Sequence, residues 1–184
     1  MIAGTRRGGA AALAAMVAGL LLTPIANAIA TTKFVSKQYH YSLVLPGSPG
    51  SWQLASAFVG WSMGQLEPNA PQFDTLTDGR TGRFFIVGGR RLPAGSTLAT
   101  WTSYFLSGKA LACTRKSPVS NSTLGGEAAR TFTFSCSDGV TGMGIDAVHG
   151  YSGYFMVLST HSGAVDGSYR AEFSAARTSF RFAN

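Results

Sequence analysis

Tyr154 to Leu158, Tyr-Phe-Met-Val-Leu, is the segment that most limits the folds open to this chain. These residues are apolar in an unbroken row. A strand with one wet face alternates, so such a run reads as a strand covered on both faces. Upstream, "RTFTFSCS" does alternate: Phe132, Phe134 and Cys136 share one face, and Thr131, Thr133 and Ser135 the other. Asp138-Gly139 is a favoured pair for a two-residue type I′ turn. That turn predicts Phe134 opposite Met143 and Phe132 opposite Ile145, all four on the face of Cys136. Gly142 and Gly144 would then leave the second face open to a packed element. Residues 125–160 thus read as a three-strand antiparallel meander whose last strand is central.

Covers for that strand are available. "PAGSTLATWTSYFLSG" offers Ser96 as N-cap, Leu98, Trp101 and Phe105 on one helical stripe, and Gly108 as a stop. "DGSYRAEFSAARTSF" offers Asp166 or Ser168 as cap, with Tyr169, Phe173 and Ala176 as its stripe. "YHYSLVLP" and "SWQLASAFV" read as strands joined by the turn "PGSPG", and "RFFIVGG" as another strand. Residues 62–82, rich in Pro, Asn, Asp and Gly, read as a long surface loop. The class is α+β, an antiparallel sheet packed with helices.

The first residues have a different character. Arg6 and Arg7 precede the apolar run "AAALAAMVAGLLL", and Ala26 and Ala28 follow with the spacing that signal peptidase reads. The run is shorter than the roughly 20 residues that span a bilayer, so residues 1–28 read as an export signal and 29–184 as a single domain. No transmembrane anchor would remain after processing. Arg6-Arg7 is only a weak twin-arginine signal, because Gly8 and Gly9 follow it. Without residues 1–28 the 15 basic residues lose two while all eight acids stay, and the net charge falls from +7 to +5. A basic surface favours anionic partners. The charges are scattered, however, with short pairs at Arg90-Arg91 and Arg115-Lys116, and no nucleic-acid motif organises them.

Two cysteines in an exported chain meet an oxidising compartment, and Cys113 with Cys136 is the one intramolecular pair they allow. Their separation rules out a CxxC redox motif, and no histidines sit near them as zinc ligands. A disulfide closing that loop contributes about 3 kcal/mol in the chain-entropy account. Cys136 lies on the Phe132 face, which would bring Cys113 in from the core side.

Catalytic chemistry has little to stand on. Triad members normally converge from distant elements. "HSGAVDGS" instead sets His161, Asp166 and Ser168 side by side in what reads as an inter-element loop. His149 beside Gly150 reads as a turn histidine. "DTLTDG", from Asp74, lacks the alternating ligands and distal Glu of a calcium loop. Asn121-Ser122-Thr123 matches the glycosylation pattern, as short polar loops often do. No cofactor, metal or catalytic residue is assigned.

The quoted segments "YHYSLVLPGSPGSW", "GGEAARTFTFSC", "GYFMVLST" and "AEFSAARTSFRF" resemble small exported domains of the PsbP/Mog-like fold. Those domains carry a Tyr-x-hydrophobic-x-Pro to Trp hairpin, a Gly-Gly-x-x-Ala entry to the meander, and a last helix closing on Ser-Phe-Arg-Phe. The resemblance covers most of residues 39–182 and implies a helix-covered sandwich. It also implies no shared catalytic site, since such proteins act as accessory or binding domains. The reading is therefore an exported, monomeric, non-catalytic domain that binds a protein or an anionic envelope ligand. The alternative is a secreted hydrolase built on His161, Asp166 and a serine. Trp61, Arg90 and Arg91 are the candidate contact residues, while Trp52 reads as core. N-terminal sequencing of exported protein should find a chain beginning at Ile29, or at Thr31 as the second choice. An intact Met1 in purified membranes would refute the export signal.

Overall fold

The computed structural model describes residues 31–47, 51–58, 72–107, 113–161 and 165–183. The leader, Trp61, the "SPG" of the proposed turn and Gly108 lie outside these residues. In chain order the elements are β1 (Thr32–Ser36), β2 (Tyr41–Leu45), β3 (Trp52–Phe58), β4 (Gln72–Asp78) and β5 (Phe84–Arg91). Helix α1 (Leu98–Phe105) and strands β6 (Cys113–Arg115), β7 (Ser120–Leu124), β8 (Glu127–Cys136), β9 (Thr141–His149) and β10 (Ser152–Thr160) follow. Helix α2 (Gly167–Ser179) and β11 (Arg181–Phe182) end the described chain. The large sheet runs β3-β4-β5-β10-β9-β8-β6, with β7 also on β8, and a small sheet runs β1-β2-β11. Every described strand pairing is antiparallel.

The unbroken apolar run sits where its composition demands. β10 lies between β5 and β9, with Met156 facing Val87 on one side and Ile145 on the other. Gly153 to Thr160 are all buried. Tyr154, Met156 and Leu158 enter one core with Tyr41, Leu43 and Leu45 of β2 and Tyr169, Phe173 and Ala176 of α2. Phe155 and Val157 enter a second core with Trp101 and Phe105 of α1 and with Phe132 and Phe134 of β8. The second core is largely aromatic: Phe155 meets Phe105 at 5.0 Å and Phe73 edge-on at 6.2 Å between ring centroids.

The β8–β9 hairpin corrects the expected register. Ser135 faces Thr141, Phe134 faces Gly142 and Phe132 faces Gly144. Cys136 N–H donates to Val140 O at 2.7 Å and Gly139 N–H to Cys136 O at 3.2 Å, so the loop holds three residues, Ser137 to Gly139. Gly139 takes φ +84°, as the third position of a type I turn with a G1 bulge requires. One extra loop residue shifts the pairing by one, and a shift of one reverses a strand's faces. Met143 and Ile145 accordingly pack in the β2/α2 core, opposite Phe132 and Phe134. The space above Gly142 and Gly144 is filled by the neighbouring phenyl rings rather than by a new element. A Cβ at Gly144 would lie 2.6 Å from the Phe132 ring, and one at Gly142 2.5 Å from that of Phe134.

Cys113 is bonded to Cys136. It arrives beside Cys136 on the edge strand β6, as its direct cross-strand partner, and not from the core side. Two further expectations change. β2 and β3 belong to different sheets, so the Pro46-containing link joins sheets and is no hairpin turn. Within the expected loop 62–82, Gln72–Asp78 is β4, paired on both sides. Its polar residues deceive because two of its acids are structural. Tyr41 Oη donates to Asp74 Oδ2 at 2.7 Å in the core, and Asp78 accepts from Thr81 Oγ1 at 2.7 Å and Arg80 N–H at 3.0 Å in the turn. Asn121-Ser122-Thr123 lies on β7, paired with β8, rather than in a loop.

The helices follow their stripes. Thr97, one residue beyond Ser96, is the α1 cap, because its hydroxyl and that of Thr100 each accept the other residue's N–H. Asp166 caps α2, accepting from Tyr169 N–H at 2.8 Å. Trp52 is core, donating from Nε1 to Pro46 O at 2.7 Å and packing on Phe85. Full burial of a large apolar side chain contributes about 1.5–3 kcal/mol, and removing one leaves a cavity besides. Phe155→Ser and Met156→Ser should therefore each lower stability by about 3 kcal/mol or more in denaturant melts. Loss from only one of the two would contradict two-sided burial of β10.

A candidate binding site at the end of a central strand

β5 finishes in Gly89-Arg90-Arg91, still paired with Tyr154-Gly153-Ser152 of β10. Side chains alternate along a strand, so these adjacent arginines leave on opposite faces of the sheet. Arg91 is on the Val87 face, over which the β1–β2 turn passes, and Arg90 is on the Ile86 face, over which α1 lies. Both covers are held by specific bonds. Tyr39 N–H donates to Ser36 Oγ at 3.2 Å, and Ala183 N–H ties His40 O at 2.8 Å. His40 takes φ +54°, the left-handed conformation, which turns the chain into β2. On the other side Trp101 Nε1 donates to Tyr154 O at 2.9 Å, fastening α1 across the sheet end.

Two clefts result. The first, about 160 Å³, is lined by Gln38, Tyr39, His40, Arg90, Arg91 and Ser152, with Tyr154 at its base. No carboxylate among the described residues lines it. Tyr39 is 8% exposed, and its Oη is buried without a hydrogen-bond partner among the described residues. The second cleft, about 190 Å³, is lined by Leu92, Pro93, Ser96, Trp101, Tyr104 and again Arg90, with Thr100. Arg90 borders both. Its guanidinium lies 5.2 Å from the Tyr104 ring centroid and donates to Tyr104 Oη at 3.1 Å. Tyr104 in turn stacks on Trp101 at 5.6 Å. A cation held on an aromatic face is fixed in direction before any ligand arrives.

Of the candidate contact residues, Arg90 and Arg91 come together here, and Trp61 lies outside the described residues. Tyr39, His40 and Ser152 had no signal in the sequence, because they lie at least 50 positions from Arg90 or on a separate turn. The basic pair ending an apolar strand was the visible sign.

The residues named for hydrolysis have other partners. Asp166 Oδ1 accepts from Tyr169 N–H, and also from Ser168 Oγ at 2.9 Å, so the serine donates to the cap carboxylate. The Tyr169 N–H, with Ser168, holds Asp166 below the usual carboxylate range. His161 is exposed against Phe84, at 5.5 Å between rings. His149 closes β9, with Nδ1 2.9 Å from Glu127 Oε1 and its ring stacked on Phe182 at 4.3 Å. Gly60-Trp61-Ser62-Met63-Gly64 also spells G-x-S-x-G, directly after β3. In α/β hydrolases that serine follows a strand of a central sheet and opens a helix. β3 stands instead at the end of the described antiparallel order, and Ser62 lies outside the described residues.

One buried acid went unread: Asp146, which interrupts the apolar pattern of β9. It is fully buried in the aromatic core beside α1, opposite Arg130 of β8 and Phe155 of β10. Thr102 Oγ1 lies 2.7 Å from Asp146 Oδ1 and 2.8 Å from Leu98 O, but a hydroxyl has a single proton to give. Its one proton is shared between the Asp146 carboxylate and the Leu98 carbonyl. Burial pushes the carboxyl up to about 7, against the opposing pulls of the Thr102 hydrogen bond and the Arg130 charge.

The fold can now be placed among known ones. No family model matches the chain, and comparison with curated proteins finds no match. The architecture is that of a PsbP-like α+β domain. The chain is similar to the solution structure of cyanobacterial PsbP (CyanoP) from Synechocystis sp. PCC 6803, with a TM-score of 0.61 and 12% identity. The match covers 89% of this chain and 98% of that one. At that identity the likeness is one of fold.

Asp146 also generates a pH dependence. Its folded value of about 7 stands above the ordinary carboxylate value, so the folded state binds the extra proton between the two. Its contribution is fully present below about pH 4 and is lost as pH rises through about 7. Asp146→Asn keeps the shape without the charge. Relative to wild type it should gain stability on the order of 4 kcal/mol between pH 4 and 8 in denaturant melts. Parallel wild-type and variant curves would show that Asp146 is charged throughout.

Proposed function

We propose that this is an exported, non-catalytic accessory domain that binds an anionic partner at the C-terminal end of β5. The observation that carries the reading is the first cleft: Arg90, Arg91 and His40 border it, and no carboxylate among the described residues lines it. A concavity bordered by two arginines raises the local concentration of anions and orients them. The net charge, +5 without residues 1–28, acts in the same direction at long range.

Export is supported by the leader pattern of residues 1–28 and by the Cys113–Cys136 bond, which persists in oxidising compartments. Among the described residues no helix is long and apolar enough to cross a membrane. The helix-covered, sandwich-like PsbP/Mog arrangement supports a binding rather than a catalytic role. So do the capping duties of Asp166 and Ser168, which occupy the groups a hydrolase would need. On this reading the domain works as a monomer that presents its sheet end to the partner.

Amide chemical shifts should report the site. Titration with inorganic phosphate should move the resonances of His40, Gly89, Arg91 and Ser152, and added salt should reverse the change. Arg91→Glu should abolish those shifts while leaving the melting temperature near wild type, because Arg91 is exposed. Shifts spread evenly over the basic surface, or none at all, would refute the site. Turnover of ester, peptide or glycoside substrates that vanished in both Ser62→Ala and His161→Ala, with folding intact, would establish the hydrolase instead.

A further inference from the structure

The two clefts differ in character, and this bears on the ligand more closely than charge alone. The first has the larger share of polar surface, from residues such as Gln38, Tyr39, His40, Arg91 and Ser152, though carbon lines more than half of it. The second is walled mainly by carbon: Leu92, Pro93, Trp101 and the ring of Tyr104. They lie on opposite faces of the sheet, yet Arg90 lines both. Each cleft is small, about 160 and 190 Å³, and so admits part of a compact molecule rather than a folded surface.

Resting on the anion-binding reading above, we infer that the ligand is a single amphiphilic oxyanion. Its phosphate, sulfate or carboxylate head occupies the Arg91–His40 cleft, and its apolar body crosses the sheet margin onto Leu92, Pro93 and Trp101. Three features point there. Tyr39, whose hydroxyl is buried without a hydrogen-bond partner among the described residues, lines the polar cleft. Trp101 cannot turn away from the second cleft, because its indole N–H is committed to Tyr154 O. The Trp101–Tyr104–Arg90 stack makes the border between the clefts rigid, with aromatic faces on one side and a guanidinium edge on the other. Such a border suits a molecule that changes from charged to apolar along its length. An inorganic anion would leave the carbon-walled cleft unused, and a neutral lipid would leave the cationic one without a partner.

The test compares three probes on the full domain by calorimetry: inorganic phosphate, octyl phosphate below its micelle concentration, and octyl glucoside. Octyl phosphate should bind at least about tenfold more tightly than phosphate, because its chain is buried as well, and octyl glucoside should bind more weakly than octyl phosphate. Arg91→Gln should weaken both anions. Ser96→Trp, which fills the second cleft, should reduce octyl phosphate to the affinity of phosphate and leave phosphate unchanged. Thermal melts of both variants establish that they are folded. Equal affinity for the two anions would overturn this inference and leave the anion site standing. Failure of both anions to bind would overturn the two readings together. Binding to anionic phospholipid vesicles without binding of monomeric octyl phosphate would assign a membrane surface in place of the cleft, and would overturn it too.

Discussion

A sheet covered on both faces has to divide every strand's side chains between two cores, and the β8–β9 hairpin is where that division is set. Its three-residue loop places Phe132 and Phe134 opposite Gly144 and Gly142. Each ring then lies flat over a position with no side chain, and the α1 core gains an aromatic layer without crowding. The same pairing turns Met143 and Ile145 toward β2 and α2. A two-residue loop would reverse β9, sending Asp146 into the β2/α2 core and away from Thr102. The hairpin therefore fixes the packing of both helices, and through them the position of β10.

The sheet end inherits this two-sidedness. Because β5 is covered on both faces up to its last residues, adjacent arginines meet different covers: the β1–β2 turn for Arg91 and α1 for Arg90. The result is two clefts, the second the more apolar, with Arg90 in common. Neither cleft needs a long loop or a mobile lid, since strand alternation and two packed elements suffice. Asp146 links this region to the core chemistry, because its partner Thr102 belongs to the helix that carries Trp101 and Tyr104.

Much of this fold is legible in the chain itself. The unalternating Tyr154–Leu158 run required burial on both faces, because no strand exposes five such side chains to water at low cost. The stripe Tyr169, Phe173, Ala176 and the cap Asp166 defined α2, since helical period and capping chemistry are local properties. The meander order and the cysteine pairing were likewise readable. Other features were beyond local patterns. Gln72–Asp78 looks like a loop because Asp74 and Asp78 are acids, and only their partners Tyr41 and Thr81 explain a buried strand. Asp138-Gly139 is compatible with two hairpin geometries, and the choice between them rests on whether Phe132 faces glycine or isoleucine. The separation of β2 from β3 into two sheets depends on packing against α2, to which no residue of the turn testifies.

The sequence by itself determined which segments must be buried, which helices could cover them, and that a basic pair follows "RFFIVGG". Tertiary structure alone decided what surrounds those charges. Tyr39, His40 and Ser152 reach Arg91 only because a turn and a neighbouring strand converge at the sheet end. Periodicity records the faces of one element at a time, whereas a cleft is a relation between several, made by contacts that no single segment encodes.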